Sequence, residues 1–317
     1  MARLGGVIAA AVTPLRDGLS IDHERLIDHC RWLLSDGGCD GINLLGTTGE
    51  ATSLSVEQRI GAMKAVAKAG LPLDRMMVGT GAAALDDAVR LTTAARNFGF
   101  MGALLLPPFY YKGVDAESLV AYVEALIERT GASGLRLYLY HIPQNTGVPY
   151  PTDAVRRLHE RHPDVVVGLK DSAGDLAYSR ELCRWLPAFD VFPSSEGSLS
   201  EMRSSGFAGC ISATTNLTGR LAQFGRQHPD SEEGRRAIAE ALAIRQVLAR
   251  YPLVAAVKWA VARLRGDPAF ERVSPPLRPL SASEKQELAE ALAATRFPQL
   301  CAGGFPADRA GVAMDRL

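Results

Sequence analysis

The stretch that decides the fold is PDVVVGLKDS, at residues 163–172. Residues 165–169 carry no polar side chain, which is typical of a strand buried on both faces of a parallel sheet. A strand with one wet face would instead alternate apolar and polar residues. The run ends in Lys170, so the stretch predicts a buried strand whose last residue carries a charged side chain.

Seven further apolar runs of similar length are spread along the chain. Together, the eight runs occupy residues 7–12, 42–45, 76–78, 103–106, 135–140, 165–169, 191–192 and 210–212. Amphipathic stretches of helical period lie between them, for example at residues 56–69 and 116–130. Alternating strands and helices predict an α/β fold, either a barrel or an open doubly wound sheet. Eight repeats within about 215 residues favour the (β/α)8 TIM barrel, whose usual length is ~250 residues.

The pattern changes near residue 225. Residues 232–250, 253–264 and 283–295 read as helices with no strand between them. We therefore expect a catalytic barrel at residues 1–224, followed by a C-terminal helical extension. The extension is expected at residues 225–297, and an irregular tail at residues 298–317, which contains glycine and proline.

Composition excludes several classes of protein. The chain has 317 residues, with 35 Lys+Arg and 35 Asp+Glu, so it lacks the basic field of a nucleic-acid-binding protein. The first apolar run, residues 7–12, is too short to span a bilayer. The five cysteines are odd in number and not closely paired, which argues against disulfides or a zinc site. We expect a cytoplasmic protein without nucleic-acid or membrane partners.

Reactive groups of such barrels lie where the strands end and in the loops that follow. Lys170 is the most informative residue there, because a lysine that ends an apolar strand is not an ordinary surface residue. A desolvated, uncharged lysine can form a Schiff base with a carbonyl substrate. Alternatively, Lys170 pairs with an acid such as Asp171 or Glu196 across the barrel. The position alone leaves both interpretations open.

Two other strand ends carry candidates. The loop GTTGE, residues 46–50, follows the second strand and offers hydroxyls and backbone amides to a carboxylate, although it could equally lead into a capped helix. Tyr140 ends the fifth strand, where a phenol can move a proton or simply fill space. Lys258 lies in an apolar helix, and we expect its amine to reach water along the helix surface.

Three segments together resemble the dihydrodipicolinate synthase/N-acetylneuraminate lyase family of class I aldolases. They are GTTGE at residues 46–50, YHIPQNTG at residues 140–147 and GLKDS at residues 168–172. They occur in the family's order and at the corresponding strands, and the resemblance extends from about residue 6 to residue 295.

The resemblance implies roles for particular residues. Lys170 would form the Schiff base, Tyr140 would be the general acid and base, and Thr47 would relay a proton to Tyr140. Tyr110 would complete the relay in a neighbouring subunit, which implies a homotetramer or homodimer. The remaining substrate-binding positions would be Gly46, Thr48, His141, Asn145, Ser194 and Ile211. No metal or other cofactor is implied, because the covalent imine itself serves as the electron sink.

The resemblance also implies the substrates, pyruvate and an aldehyde, condensed or cleaved in either direction. Two departures narrow the choice of aldehyde. The synthases usually carry an arginine where this chain has Asn145, and an asparagine where it has His141. The segment QNTG that contains Asn145 also resembles the 4-hydroxy-2-oxoglutarate aldolase branch, although that branch usually varies the threonine pair that this chain has at Thr47 and Thr48. A dehydratase of keto-deoxy sugar acids using the same lysine, and a keto-acid-binding relative without turnover, remain alternatives.

Overall fold

The computed structural model of the chain describes residues 3–303. Eight strands form one sheet, in the order β7-β6-β5-β4-β3-β2-β1-β8. Their bounds are β1 Gly6–Ala10, β2 Gly41–Leu44, β3 Met76–Gly79, β4 Gly102–Leu105, β5 Leu137–His141, β6 Val166–Asp171, β7 Asp190–Pro193 and β8 Gly209–Ser212. Every predicted apolar run contributes one of these strands.

All neighbouring strands are parallel, and the sheet curls into a nearly closed barrel. β8 pairs with β1, while the amide of Ala208, just before β8, donates to the carbonyl of Val191 in β7 at 3.0 Å. These contacts join the two ends of the sheet. The predicted (β/α)8 barrel is therefore confirmed.

Thirteen α-helices surround or follow the barrel in the described part of the chain. The helices are α1 His23–Leu34, α2 Val56–Lys68, α3 Leu85–Phe98, α4 Ala116–Thr130, α5 Pro143–Thr146, α6 Thr152–Arg161, α7 Leu176–Trp185, α8 Met202–Ser205, α9 Thr215–Gln227, α10 Glu232–Leu248, α11 Leu253–Arg265, α12 Ala282–Ala293 and α13 Phe297–Cys301. Within residues 3–303, no helix is both long and apolar enough to cross a bilayer.

Both faces of each strand are buried, which explains the apolar runs. In β5, Leu137 and Leu139 pack outward against the surrounding helices, whereas Tyr138 and Tyr140 pack with Ile8 inside the barrel. Side chains alternate along a strand, so one strand supplies both layers of the core. The same alternation decides which strand-end residues enter the mouth of the barrel.

The C-terminal helices form a third apolar cluster around Trp259 and Val257 on α11. Two details differ from the expected boundaries. Helix α9 runs through the expected boundary after residue 224 and ends at Gln227. The expected irregular tail begins with α13, which buries Phe297 against the C-terminal cluster. The rest of that tail, from residue 304, lies outside the described residues.

Candidate active site

Lys170 and Tyr140 lie side by side at the mouth of the barrel. They are register partners on adjacent parallel strands, β6 and β5, so both side chains point inward. Each residue is only 3% exposed. Lys170 Nζ donates to the Tyr140 hydroxyl at 3.3 Å and lies 4.4 Å from the centroid of the ring. The amine is thus shielded from water, and a phenol hydroxyl is its immediate neighbour.

Thr47 extends this contact to a third strand. Its hydroxyl lies 3.2 Å from that of Tyr140, and either oxygen can be the donor. Thr47 belongs to the loop of residues 46–50 that follows β2, which we call the threonine loop. Three residues that are far apart in sequence therefore lie together in the structure. They form a chain of hydrogen bonds from Lys170 through Tyr140 to Thr47.

The surroundings of Tyr140 favour its ionised form. Burial by itself raises the pKa of this phenol, but the charge of Lys170 and the hydrogen bond from Thr47 oppose burial, and the net effect is a lowered pKa. A phenol whose pKa is below its usual range can both accept and return a proton near neutral pH more readily than an ordinary tyrosine.

The two acids considered as partners for Lys170 are bound elsewhere. Asp171 Oδ2 accepts a hydrogen bond from Ser179 at 2.7 Å, and Asp171 Oδ1 accepts from the amide of Ala173 at 2.9 Å. Glu196 Oε1 accepts from Thr214 at 2.6 Å. This leaves the amine of Lys170 directed at the hydroxyl of Tyr140.

A cleft of about 440 Å³ opens above these groups. Seven of the ten residues predicted from the sequence line this cleft: Thr47, Thr48, Tyr140, Asn145, Lys170, Ser194 and Ile211. They come from six different strand ends or loops. The cleft is large enough for a small keto acid and a second small molecule.

His141 was expected to bind substrate, but its side chain does not line the cleft. Its ring stacks on Tyr178 with the centroids 4.3 Å apart, and its Nδ1 accepts from the amide of Tyr150 at 3.0 Å. Burial lowers its pKa to about 4. Because neighbouring residues of a strand face opposite sides, the inward position of Tyr140 sends His141 outward. His141 therefore packs on the outer face of β5.

Gly46 and Tyr110 also lie outside the cleft lining. A Cβ on Gly46 would lie 2.5 Å from Asn43 Nδ2, so glycine is needed here for close packing. Tyr110 is 72% exposed in the single chain, and its ring meets that of Tyr111 edge to face at 5.4 Å. Any role of Tyr110 in catalysis would have to be in another subunit.

Sequence reasoning missed two arginines of the cleft. Arg245, on α10, donates from Nη1 to Ser212 Oγ at 3.1 Å and lies 3.7 Å from Glu196 Oε2. Arg278 follows the cleft-lining Pro276 and binds both carboxylate oxygens of Glu284, at 2.7 and 2.8 Å. Both come from the C-terminal region, and no sequence signal indicates that this region reaches the mouth of the barrel.

The expectation that the amine of Lys258 reaches water along the helix surface is wrong. Its side chain is fully buried and does not reach water; its amine binds Glu50 of the threonine loop and donates to the carbonyl of Thr13 at 2.9 Å. Burial lowers the pKa of Lys258, and the negative charge of Glu50 opposes that effect. The helix packs its polar residue inward because a buried acid is there to receive it.

Two proteins with similar sequences are named as a synthase and as a DapA-like lyase. The chain is 31% identical over 300 residues to a 4-hydroxy-tetrahydrodipicolinate synthase of Saccharophagus degradans, covering 93% of this chain and 99% of that protein. It is 37% identical over 224 residues to an uncharacterized DapA-like lyase of Chloroflexus aurantiacus, covering 70% and 74% of the two chains.

Solved structures show the same architecture. Dihydrodipicolinate synthase of Agrobacterium tumefaciens superimposes with a TM-score of 0.84 at 27% identity, covering 92% of this chain and 99% of that one. A 2-keto-3-deoxygluconate aldolase variant of Sulfolobus solfataricus has a TM-score of 0.81 at 23% identity, covering 93% and 97%, and this likeness concerns the fold alone.

The model of the dihydrodipicolinate synthetase family matches residues 3–295, which is nearly the whole chain. The match spans the barrel and most of the C-terminal helices, and it agrees with the resemblance carried by the three sequence segments. The chain belongs to the dihydrodipicolinate synthetase family and is a lyase of the class I aldolase type.

Proposed function

We propose that this protein forms a Schiff base between Lys170 and pyruvate and uses it to join pyruvate to an aldehyde, or to cleave such an adduct. The observation that carries the proposal is the buried contact of 3.3 Å between Lys170 Nζ and the Tyr140 hydroxyl. The buried amine is within reach of a carbonyl substrate in the cleft, and the phenol next to it can take up and return protons. No metal or other cofactor takes part in the proposed reaction.

The proposed reaction begins when the uncharged amine of Lys170 attacks C2 of pyruvate. The carbonyl oxygen takes a proton from Tyr140, and the nitrogen then passes one back to the phenolate. Tyr140 gives this proton to the new hydroxyl, which leaves as water to give a protonated imine. Thr47 and Thr48 hold the carboxylate of the keto acid, and Thr47 resupplies the proton to Tyr140.

Carbon–carbon bond formation follows from the imine. Loss of a proton from C3 gives an enamine, whose C3 attacks the carbonyl carbon of the aldehyde, while the aldehyde oxygen takes up a proton. Water then hydrolyses the new imine, which releases the product and regenerates the amine of Lys170. Cleavage is the same sequence in reverse.

Borohydride trapping tests the proposal directly. The protein is incubated with pyruvate and borohydride, digested and analysed by peptide mass spectrometry. We expect a stable reduced adduct on the peptide that contains Lys170. An unmodified Lys170 at saturating pyruvate would contradict the proposal and would favour a keto-acid-binding protein without turnover.

The position of Asn145 favours an aldolase of the 4-hydroxy-2-oxoglutarate type over a dihydrodipicolinate synthase. Asn145 lies on the short helix α5 and lines the cleft, where its neutral amide cannot form the charged, two-point contact that an arginine makes with a carboxylate. We expect glyoxylate to be a better acceptor than aspartate semialdehyde. Steady-state rates with the two aldehydes decide between them, and Asn145→Arg should shift the preference toward aspartate semialdehyde.

A third reaction remains in the proposal, the dehydration of a keto-deoxy sugar acid through the same lysine. Loss of water from such a substrate without any added aldehyde would identify this reaction.

We further propose a homotetramer or homodimer in which the exposed Tyr110 of one subunit completes the site of another. A cytoplasmic location is also proposed, and it agrees with five free cysteines.

A further inference from the structure

The threonine loop begins and ends in strained backbone. Leu45, just before it, has φ 53°, and Glu50, its last residue, has φ 57°. Both are buried non-glycine residues in the left-handed region, which L-residues seldom adopt. Such conformations persist only where the surrounding structure holds them. The position of Thr47 and Thr48 between these two residues therefore depends on contacts made elsewhere.

Glu50 is held by the C-terminal helical region. Its Oε1 binds the amine of Lys258 on α11, and its Oε2 accepts from the amide of Ser274 at 2.6 Å. The side chains of Glu50 and Lys258 are both 0% exposed. Both carboxylate oxygens are thus tied to a part of the chain more than 200 residues away in sequence.

The same lysine reaches the other side of the loop through Thr13. Lys258 Nζ donates to the carbonyl of Thr13 at 2.9 Å, and the Thr13 hydroxyl donates to the carbonyl of Gly49 at 2.7 Å. A closed set of hydrogen bonds therefore runs from Glu50 through Lys258 and Thr13 back to Gly49. It fixes the carboxyl-terminal half of the threonine loop from two directions.

We propose that Glu50 and Lys258 are positioning residues, which hold Thr47 and Thr48 where these bind the carboxylate of the 2-oxo acid. The inference rests on the proposed function, and it gives the C-terminal helices a part in substrate binding. A buried ion pair often stabilises a protein no more than an apolar pair of similar size. The free-energy cost of burying these two charges is understandable if the charges hold a strained loop in one geometry.

The test compares pyruvate affinity with stability in a neutral double variant, Glu50→Gln with Lys258→Met. Removing both charges leaves no unpaired ion in the interior. We expect the concentration of pyruvate that gives half-maximal borohydride trapping to rise about 10- to 100-fold, because small displacements of binding groups are costly. The trapping rate at saturating pyruvate should change much less, since Lys170 and Tyr140 remain in place.

A second lysine–glutamate pair provides the matched control. Lys285 on α12 binds Glu271 at 2.5 Å and also joins parts of the C-terminal region, but it makes no contact with the threonine loop. Lys285→Met with Glu271→Gln should leave the half-saturating pyruvate concentration at the wild-type value. Thermal unfolding of both double variants shows whether each has lost stability.

An unchanged half-saturating concentration in the Glu50/Lys258 variant would overturn the inference, whatever its melting temperature. If that variant does not fold, Thr13→Val replaces it, because this substitution removes only the hydroxyl bond to Gly49. We then expect an increase of about 2- to 10-fold, and no increase would overturn the inference. Absence of trapping in the wild-type protein would instead overturn the proposed function and this inference with it.

Discussion

Lys170 Nζ lies 3.3 Å from the Tyr140 hydroxyl because the two residues are register partners on neighbouring parallel strands. Side chains at paired positions of adjacent strands project from the same face of the sheet. The strands are the wall of a nearly closed barrel, so the two backbone positions cannot move far from each other. The amine and the phenol are therefore placed by two strand positions and not by a flexible loop.

Replacing Lys170, the proposed nucleophile, should abolish the proposed reaction. We expect Lys170→Ala to give no borohydride adduct and no measurable turnover, since no other amine lines the cleft among the described residues. Peptide mass spectrometry and a coupled pyruvate assay measure the two effects. Lys64→Ala, at an exposed position on α2, is the control and should behave as the wild type. An adduct that persists in Lys170→Ala would assign the Schiff base to a different residue.

Tyr140→Phe keeps the ring beneath the amine and removes only the hydroxyl. We expect turnover to fall by ~10²–10⁴, the usual contribution of a general acid–base group. Imine formation should slow as well, which rapid-quench trapping can measure, while pyruvate binding should change little. A variant as fast as the wild type would show that the proton relay does not pass through this phenol.

The contact between Thr47 and Tyr140 should be visible in the pH dependence. Thr47 helps to lower the pKa of Tyr140, so Thr47→Val should raise that pKa. The phenol then remains protonated to higher pH, and the alkaline limb of the pH–rate profile should move to higher pH. In Thr48→Val we expect weaker pyruvate binding without this shift. Superimposable profiles for Thr47→Val and wild type would disconnect Thr47 from the relay.

His141 should affect stability rather than substrate binding. Burial lowers its pKa from 6.5 to about 4, so between these values the unfolded chain binds the proton more readily than the native protein. The free energy of unfolding should therefore decrease as the pH falls from 6.5 toward 4, and denaturant titrations at several pH values can follow it.

In His141→Phe this decrease should be smaller, because one titrating group has been removed. The variant also leaves the amide of Tyr150 without its acceptor, which should cost about 1–3 kcal/mol of unfolding free energy at neutral pH. The half-saturating pyruvate concentration should stay at the wild-type value. A large increase in the half-saturating pyruvate concentration would show that His141 contributes to substrate binding.

Much of the fold could be predicted because the strands are buried on both faces. Residues 165–169 and the other apolar runs carry a strong local signal, and eight such runs in alternation with helices leave few possible architectures. The strand ends then located Lys170, Tyr140 and Thr47, because the carboxyl ends of parallel strands meet at one rim.

Tertiary structure alone decided which strand-end residues enter the cleft and what surrounds them. The sequence does not reveal that Tyr140 faces inward and His141 outward, because both flanking layers of a barrel strand are apolar or aromatic. It also does not reveal that α10 and α11 bring Arg245 and Lys258 to the mouth. Lys258 lies 245 positions from Thr13, and Arg245 lies 33 positions from Ser212 on a separate element. Only the packed chain determines distances between residues so far apart in sequence.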